Sequence, residues 1–173
     1  MPNTYSLITS TTLSSPAATV TLSGIPNLYT DLVLRYSARG DNGGIDYDGA
    51  YLRMNGSSSA LYSNINLFLN NATLYSNLGT GTTIEGLVDT NGSTSTANTF
   101  SNSEIYIPNY LTTTAKATNR FGATETNATP GFLSIQSGLF RNTTAITSIT
   151  LGVVYSSNFV AGSSFYLYGI LKS

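Results

Sequence analysis

Asp41, Asp46 and Asp48 are the only acidic side chains that fall close together in this sequence, so they are where chemistry is first sought. In an extended strand the residues on either side of Tyr47 point the same way, which would set Asp46 and Asp48 on one face. Paired carboxylates so placed could divide the acid and base roles of a glycosidase. The stretch from Asp41 to Gly49 also offers the oxygen donors that a calcium ion takes. Its spacing is not that of a twelve-residue calcium loop, and no Glu stands where the bidentate ligand belongs. The competing reading is a solvated loop, Arg39 to Gly49, in which Gly and Asp supply turn geometry, and it is the reading preferred here. Asp41, Asp46 and Asp48 are retained as candidate ligands for a structural calcium.

Other chemistries are closed off by composition. With no His and no Cys, the chain can build neither a Ser-His-Asp nor a Cys-His arrangement, and no disulfide or thiolate metal site. No catalytic and no cofactor-binding residue is expected, and the chain reads as a non-enzyme. Arg39-Gly40-Asp41 spells an adhesion tripeptide, but three common residues in a Gly-rich loop arise readily by chance. Sequons at Asn55, Asn71, Asn91, Asn127 and Asn142 are about as many as this much Ser, Thr and Asn produces at random. The basic residues Arg35, Arg39, Arg53, Lys116, Arg120, Arg141 and Lys172 are dispersed, so no nucleic acid is expected as a partner.

The elements that would carry these residues are strands. Apolar residues alternate in short runs cut by Gly, Asn, Pro and Ser, and no stretch offers a helical stripe with a capping box. Strands are expected over residues 5–13, 18–22, 31–38, 50–54, 62–69, 82–88, 100–107, 117–124, 132–136, 146–155 and 165–171. A tight turn is expected at Asn55-Gly56, a polar turn at residues 89–93, and a strand end at Pro108. The expected fold class is all-β: a single domain, residues 1–173, built as an antiparallel β-sandwich of about eleven short strands, with a jelly roll as the anticipated topology. Tyr106, Tyr110, Tyr155, Tyr166 and Tyr168 lie in or beside these strands. Core or interface positions are expected for them ahead of a carbohydrate-binding face.

Charged residues make up only 9 % of the 173 and the net charge is −1, yet there are 12 Tyr and 7 Phe. Disorder pairs polarity with charge and few aromatics, so this composition argues for a folded protein whose surface is weakly protected against self-association. Residues 1–5 show no secretory signal, and no apolar run approaches the ~20 residues that span a bilayer. Synthesis in a host cytoplasm is expected, with no membrane partner.

Four phrases in order carry a resemblance. They are Asp31-Leu32-Val33-Leu34 with Ser37-Ala38-Arg39 and Leu52-Arg53-Met54-Asn55-Gly56-Ser57; Glu104-Ile105-Tyr106-Ile107-Pro108-Asn109-Tyr110; Ala145-Ile146-Thr147-Ser148-Ile149-Thr150-Leu151; and Leu167-Tyr168-Gly169-Ile170. Together they resemble small β-sandwich virion proteins of tailed phages, especially those of cyanobacteria. Proteins of that group tend to carry Trp in the middle segment and before the third phrase. This chain has none, and Phe68 and Phe140 are expected to fill those volumes. The resemblance implies a virion structural protein. A capsid decoration (cement) protein is the leading expectation: a homo-oligomer, plausibly a trimer, touching the major capsid protein or other virion proteins through β-edges and apolar or Tyr patches. The alternative is a tail-fibre or receptor-binding module recognising host surface glycans.

Overall fold

The computed structural model describes residues 4–126, 130–156 and 158–171. The residues around the N-terminal Met1, the sequon at Asn127 and the cation Lys172 lie outside them. Strands form wherever β-branched and aromatic residues alternate with Ser, Thr and Asn, and among the described residues there is no helix.

Three antiparallel sheets result. The large one has the order β1 (Tyr5–Thr12), β14 (Ser164–Ile170), β3 (Asp31–Ser37), β10 (Asn102–Ile107), β11 (Lys116–Glu125), β12 (Gly131–Phe140), β6 (Tyr62–Asn70), β7 (Thr73–Gly81). The small one runs β2 (Thr19–Ser23), β13 (Ser148–Val153), β5 (Ala50–Met54), β8 (Ile84–Glu85), and a two-stranded ribbon joins β4 (Tyr47–Asp48) to β9 (Thr90–Asn91). The all-β antiparallel sandwich is as the sequence leads one to expect. Its sheets are unequal, eight strands against four.

The main core lies where the small sheet covers the large one. Leu32, Leu34 and Tyr36 of β3, Ile105 and Ile107 of β10, and Phe165 and Leu167 of β14 meet Val20 and Leu22 of β2, Leu52 and Met54 of β5, and Ile149 and Leu151 of β13. Phe140 closes one end of this core, stacked on Tyr62 with ring centroids 4.6 Å apart. Asn55 and Gly56 both have positive φ, and Ser57 N donates to Met54 O at 3.0 Å, which is the expected tight turn. It does not form a hairpin. The Asn55 side chain instead accepts from Thr147 N and donates to Ala145 O, tying the turn to the entry of β13.

Two elements depart from the strands read in the sequence. Thr73–Gly81 is a full nine-residue strand, hairpinned to β6 through Asn71 and Ala72, where no strand was expected. Residues 82–88 give only the two-residue β8. The anticipated polar turn at 89–93 holds the short β9, whose residues are buried.

Candidate contact surface

Side chains directly opposite each other in paired strands share a face, so register alone says which residues of the large sheet look outward. One row across it reads Tyr166, Arg35, Glu104, Phe121, Ile135, Leu67, Ser76. The flanking rows add Ala123, Leu133, Leu69 and Leu74 on one side, and Asn119, Ser137, Ile65 and Leu78 on the other. Over β1, β14, β3 and β10 the sheet has the ordinary sense, apolar inward and largely polar or aromatic outward. Over β11, β12, β6 and β7 the sense is reversed.

The reversal is clearest in β12, where Ser134, Gln136 and Gly138 are buried while Leu133 and Ile135 are exposed. In β11, Thr118, Arg120 and Thr124 point inward and Phe121 outward; in β6, Asn64 and Asn66 point inward and Ile65 and Leu67 outward. Ile135 keeps 59 % of its surface, Leu74 60 % and Leu78 79 %. Ile65, Leu67, Leu74, Leu78, Phe121, Leu133 and Ile135 therefore form one contiguous patch carrying no charge. Their fractional exposures run from 45 % at Leu67 to 79 % at Leu78, so together they present on the order of several hundred Å² of apolar surface. That is the size of the largest apolar patch on a typical monomer, about 300–600 Å², which is often a functional surface.

The inward polar face is held by hydrogen bonds and one buried ion pair. Arg120 and Asp89 are joined at 2.7 Å with both side chains sealed from solvent. Asp89 also accepts from the Tyr36 hydroxyl and, at 2.9 Å, from Ala50 N, while Arg120 Nη1 donates to Ala50 O at 2.5 Å. Burial works against the charge of Arg120, but the neighbouring Tyr36 and Asp89 outweigh it and its pKa is raised. Burial pushes Tyr36 well above the usual phenol range, despite the opposing charge of Arg120. Room for this cluster comes from glycines. A Cβ on Gly86 would stand 1.9 Å from Arg120 Nη1, and one on Gly122 would stand 2.5 Å from the Asp89 Cβ. Farther along, Thr124 donates to Val88 O at 2.8 Å and Gln136 Nε2 to Asn66 Oδ1 at 2.7 Å.

The candidate residues of the Asp41–Gly49 stretch are used internally. Asp41 Oδ1 accepts from Asn158 N at 2.9 Å and its Oδ2 from Asn158 Nδ2 at 2.7 Å, clasping two loops. Asp46 contributes its carbonyl, which accepts from Gly92 N at 3.0 Å and from the Ser95 hydroxyl. Asp48 is fully buried, and its Oδ1 accepts from Gly49 N at 2.7 Å and Tyr155 N at 2.9 Å; burial raises its pKa. Among the described residues no group of three or more acidic, His or Cys side chains is placed to hold a metal ion. Arg39 is engaged as well. Its guanidinium donates to the carbonyls of Ser93 (2.7 Å), Ser95 (2.8 Å), Thr96 (2.8 Å) and Thr99 (3.1 Å), and burial lowers its pKa. The Arg39-Gly40-Asp41 tripeptide is thus a clasp for neighbouring loops.

The tyrosines divide. Tyr110 is buried and donates to Pro26 O, and Tyr106 donates to Asp31 Oδ2 at 2.9 Å. Tyr168 lies beside Arg35 and edge-on to Tyr5, while Tyr166 is exposed. Tyr155 meets Tyr47 edge-on at 6.1 Å; burial, reinforced by Tyr47, pushes its hydroxyl up to about 12. A polar cleft of about 240 Å³ opens between β7 and β8, lined by Asn64, Asn77, Thr80, Thr83 and Glu85 among others, with no aromatic ring in its wall.

No protein-family model matches the chain, and no curated protein or solved structure is significantly similar to it. The reversed sheet face is the functional feature that the sequence reading missed. The alternation Leu133-Ser134-Ile135-Gln136 was visible, but nothing in it says which side faces the core.

Proposed function

We propose that this chain is a structural contact module: a capsid decoration (cement) protein of a tailed-phage virion that binds the major capsid protein and acts without catalysis. The observation that carries the reading is the uncharged apolar patch on the outward face of β11, β12, β6 and β7. A patch of this kind marks a protein-contact surface. The step from contact module to virion rests on the resemblance of the four sequence phrases. Homo-oligomer formation belongs to the same reading.

Cryo-EM of virions carrying a labelled copy of the chain tests the assignment. Density on the capsid shell is expected. Density confined to the tail ends, or absence of the chain from purified particles, would overturn it. In the same system Ile135→Asp should abolish attachment and leave the fold intact, since Ile135 is mostly exposed in the isolated chain.

A further inference from the structure

Four strands end the two sheets of the sandwich, and three of them are protected against pairing. β1 carries a register shift between Leu7 and Thr9, β2 has five residues, and β8 has two. Irregularity and shortness are the usual defences of a sheet edge. The fourth, β7, has neither. It is nine residues long, pairs with β6 without interruption from Tyr62↔Gly81 to Asn70↔Thr73, and contains no charge and no proline. Nearly all of its residues are exposed.

We propose that β7 is a dimerisation edge, pairing antiparallel with β7 of a second copy about a two-fold axis through Ser76. The hairpin fixes which backbone groups are available. A two-residue loop closes on Asn70 and Thr73, and such a closing pair exchanges both its hydrogen bonds. Alternate residues from Thr73 onward therefore face β6, and the N–H and C=O groups of Leu74, Ser76, Leu78 and Thr80 face the open side. A two-fold axis at Ser76 sets Ser76 against its own copy and Leu74 against Leu78 of the partner, twice. All of these are hydrogen-bonded positions, giving about six new backbone bonds. Each leucine also lies on the outward face, so the pairing brings apolar side chains together and no like charges. An interface between identical copies must be self-complementary in this way.

Pairing joins the two large sheets into one and makes their two apolar patches continuous across the junction. Strand addition of this length buries on the order of 1,000 Å² in all, the lower limit for a stable interface, so the dimer is concentration-dependent. Self-pairing suits this edge because the two-fold axis sets Leu74 against Leu78 and Ser76 against itself with no like charges opposed. The inference concerns the chain in solution and does not depend on the virion reading.

Sedimentation velocity of the full chain, from low to high micromolar concentration, tests it. The wild type should shift from monomer to dimer. Ser76→Lys and Ser76→Glu place like charges face to face across the axis and should each remain monomeric, whereas an equimolar mixture of the two should form a heterodimer. A wild type that stays monomeric throughout, or variants that associate as the wild type does, would overturn the proposal. If the variants fold poorly, hydrogen exchange on the wild type decides. The amides of Leu74, Ser76 and Leu78 should slow with increasing concentration, and unchanged rates there would count against the pairing.

Discussion

Replacing Arg120 with Met should be among the most damaging single substitutions in this chain. Arg120 is sealed from solvent and bonded at 2.7 Å to Asp89, whose remaining partners are the Tyr36 hydroxyl and Ala50 N. Met fills most of the volume and removes the only opposite charge, leaving a buried carboxylate with two neutral donors. Breaking a buried pair from one side costs about 3–5 kcal/mol. For a domain of this size that corresponds to a fall in Tm of roughly 6–20 °C. The cost arises from the stranded charge more than from the lost bond, so removing the second charge should restore much of it. In Asp89→Asn/Arg120→Met, an Asn oxygen can still accept from Ala50 N, and Ala50 O keeps its bond from Gly86 N at 3.0 Å. Urea denaturation of the wild type, both singles and the double gives the coupling energy, which should be at least about 2 kcal/mol with the double more stable than Arg120→Met. A single-mutant cost below about 1 kcal/mol, or strict additivity, would refute the reasoning.

Asp48→Asn should stabilise the fold at neutral pH. Because burial raises the Asp48 pKa in the folded state, its charge opposes folding above that pKa, and the penalty is relieved as pH falls through it toward the unfolded value of 3.8. The variant keeps an oxygen for Gly49 N and Tyr155 N, so its advantage in urea midpoint should be present at pH 7 and gone by about pH 3. An advantage that does not vary with pH would contradict this. Arg39→Met strips the four carbonyls of Ser93, Ser95, Thr96 and Thr99 of their shared donor; a loss of about 2–4 kcal/mol is expected, with faster amide exchange confined first to residues 93–99. Unaltered exchange in that loop would show that other contacts hold it.

The sequence was a good guide where one face of a strand is plainly apolar and the other plainly polar. Leu32, Leu34 and Tyr36 of β3 are buried together as alternation requires, and β5, β6 and β10 begin or end within two residues of where their patterns change. It was a poor guide at Thr73–Gly81, where Ser, Thr, Asn and Gly outnumber the two leucines and the tyrosine. That strand is set by the hairpin with β6 more than by its own propensity, since a sheet template supplies backbone partners to a segment that would not order alone. Nor could it show that Asp89 and Arg120, with 30 residues between them, meet in the interior. A lone Asp in a polar run reads as a turn, and only tertiary packing turns it into a buried partner. The acidic trio was opaque for the same reason: the Asp41 and Asp48 carboxylates accept from Asn158 and Tyr155 of the loop after β13, while Asp46 engages Gly92 through its backbone carbonyl.

The reversed half of the large sheet then poses an energetic question that the isolated chain does not answer. Exposing seven large apolar side chains while burying Arg120, Gln136, Asn66 and Asn64 inverts the ordinary economy of a sandwich. The Asp89 cluster and the Gln136–Asn66 bond satisfy part of this polar interior, while Arg120 Nε and Nη2, Asn66 Nδ2 and Gln136 Oε1 find no partner, and among the described residues nothing covers the apolar exterior. A patch of several hundred Å² approaches the roughly 800 Å² that each partner contributes to a standard interface. The inward side of that half is met by β8 and the segment after it: Ile84 is buried there, Gln136 donates to Glu85 O and Thr124 donates to Val88 O. On the proposed reading, β11, β12, β6 and β7 form a platform that completes its apolar burial in an assembly, with β7 as its open edge.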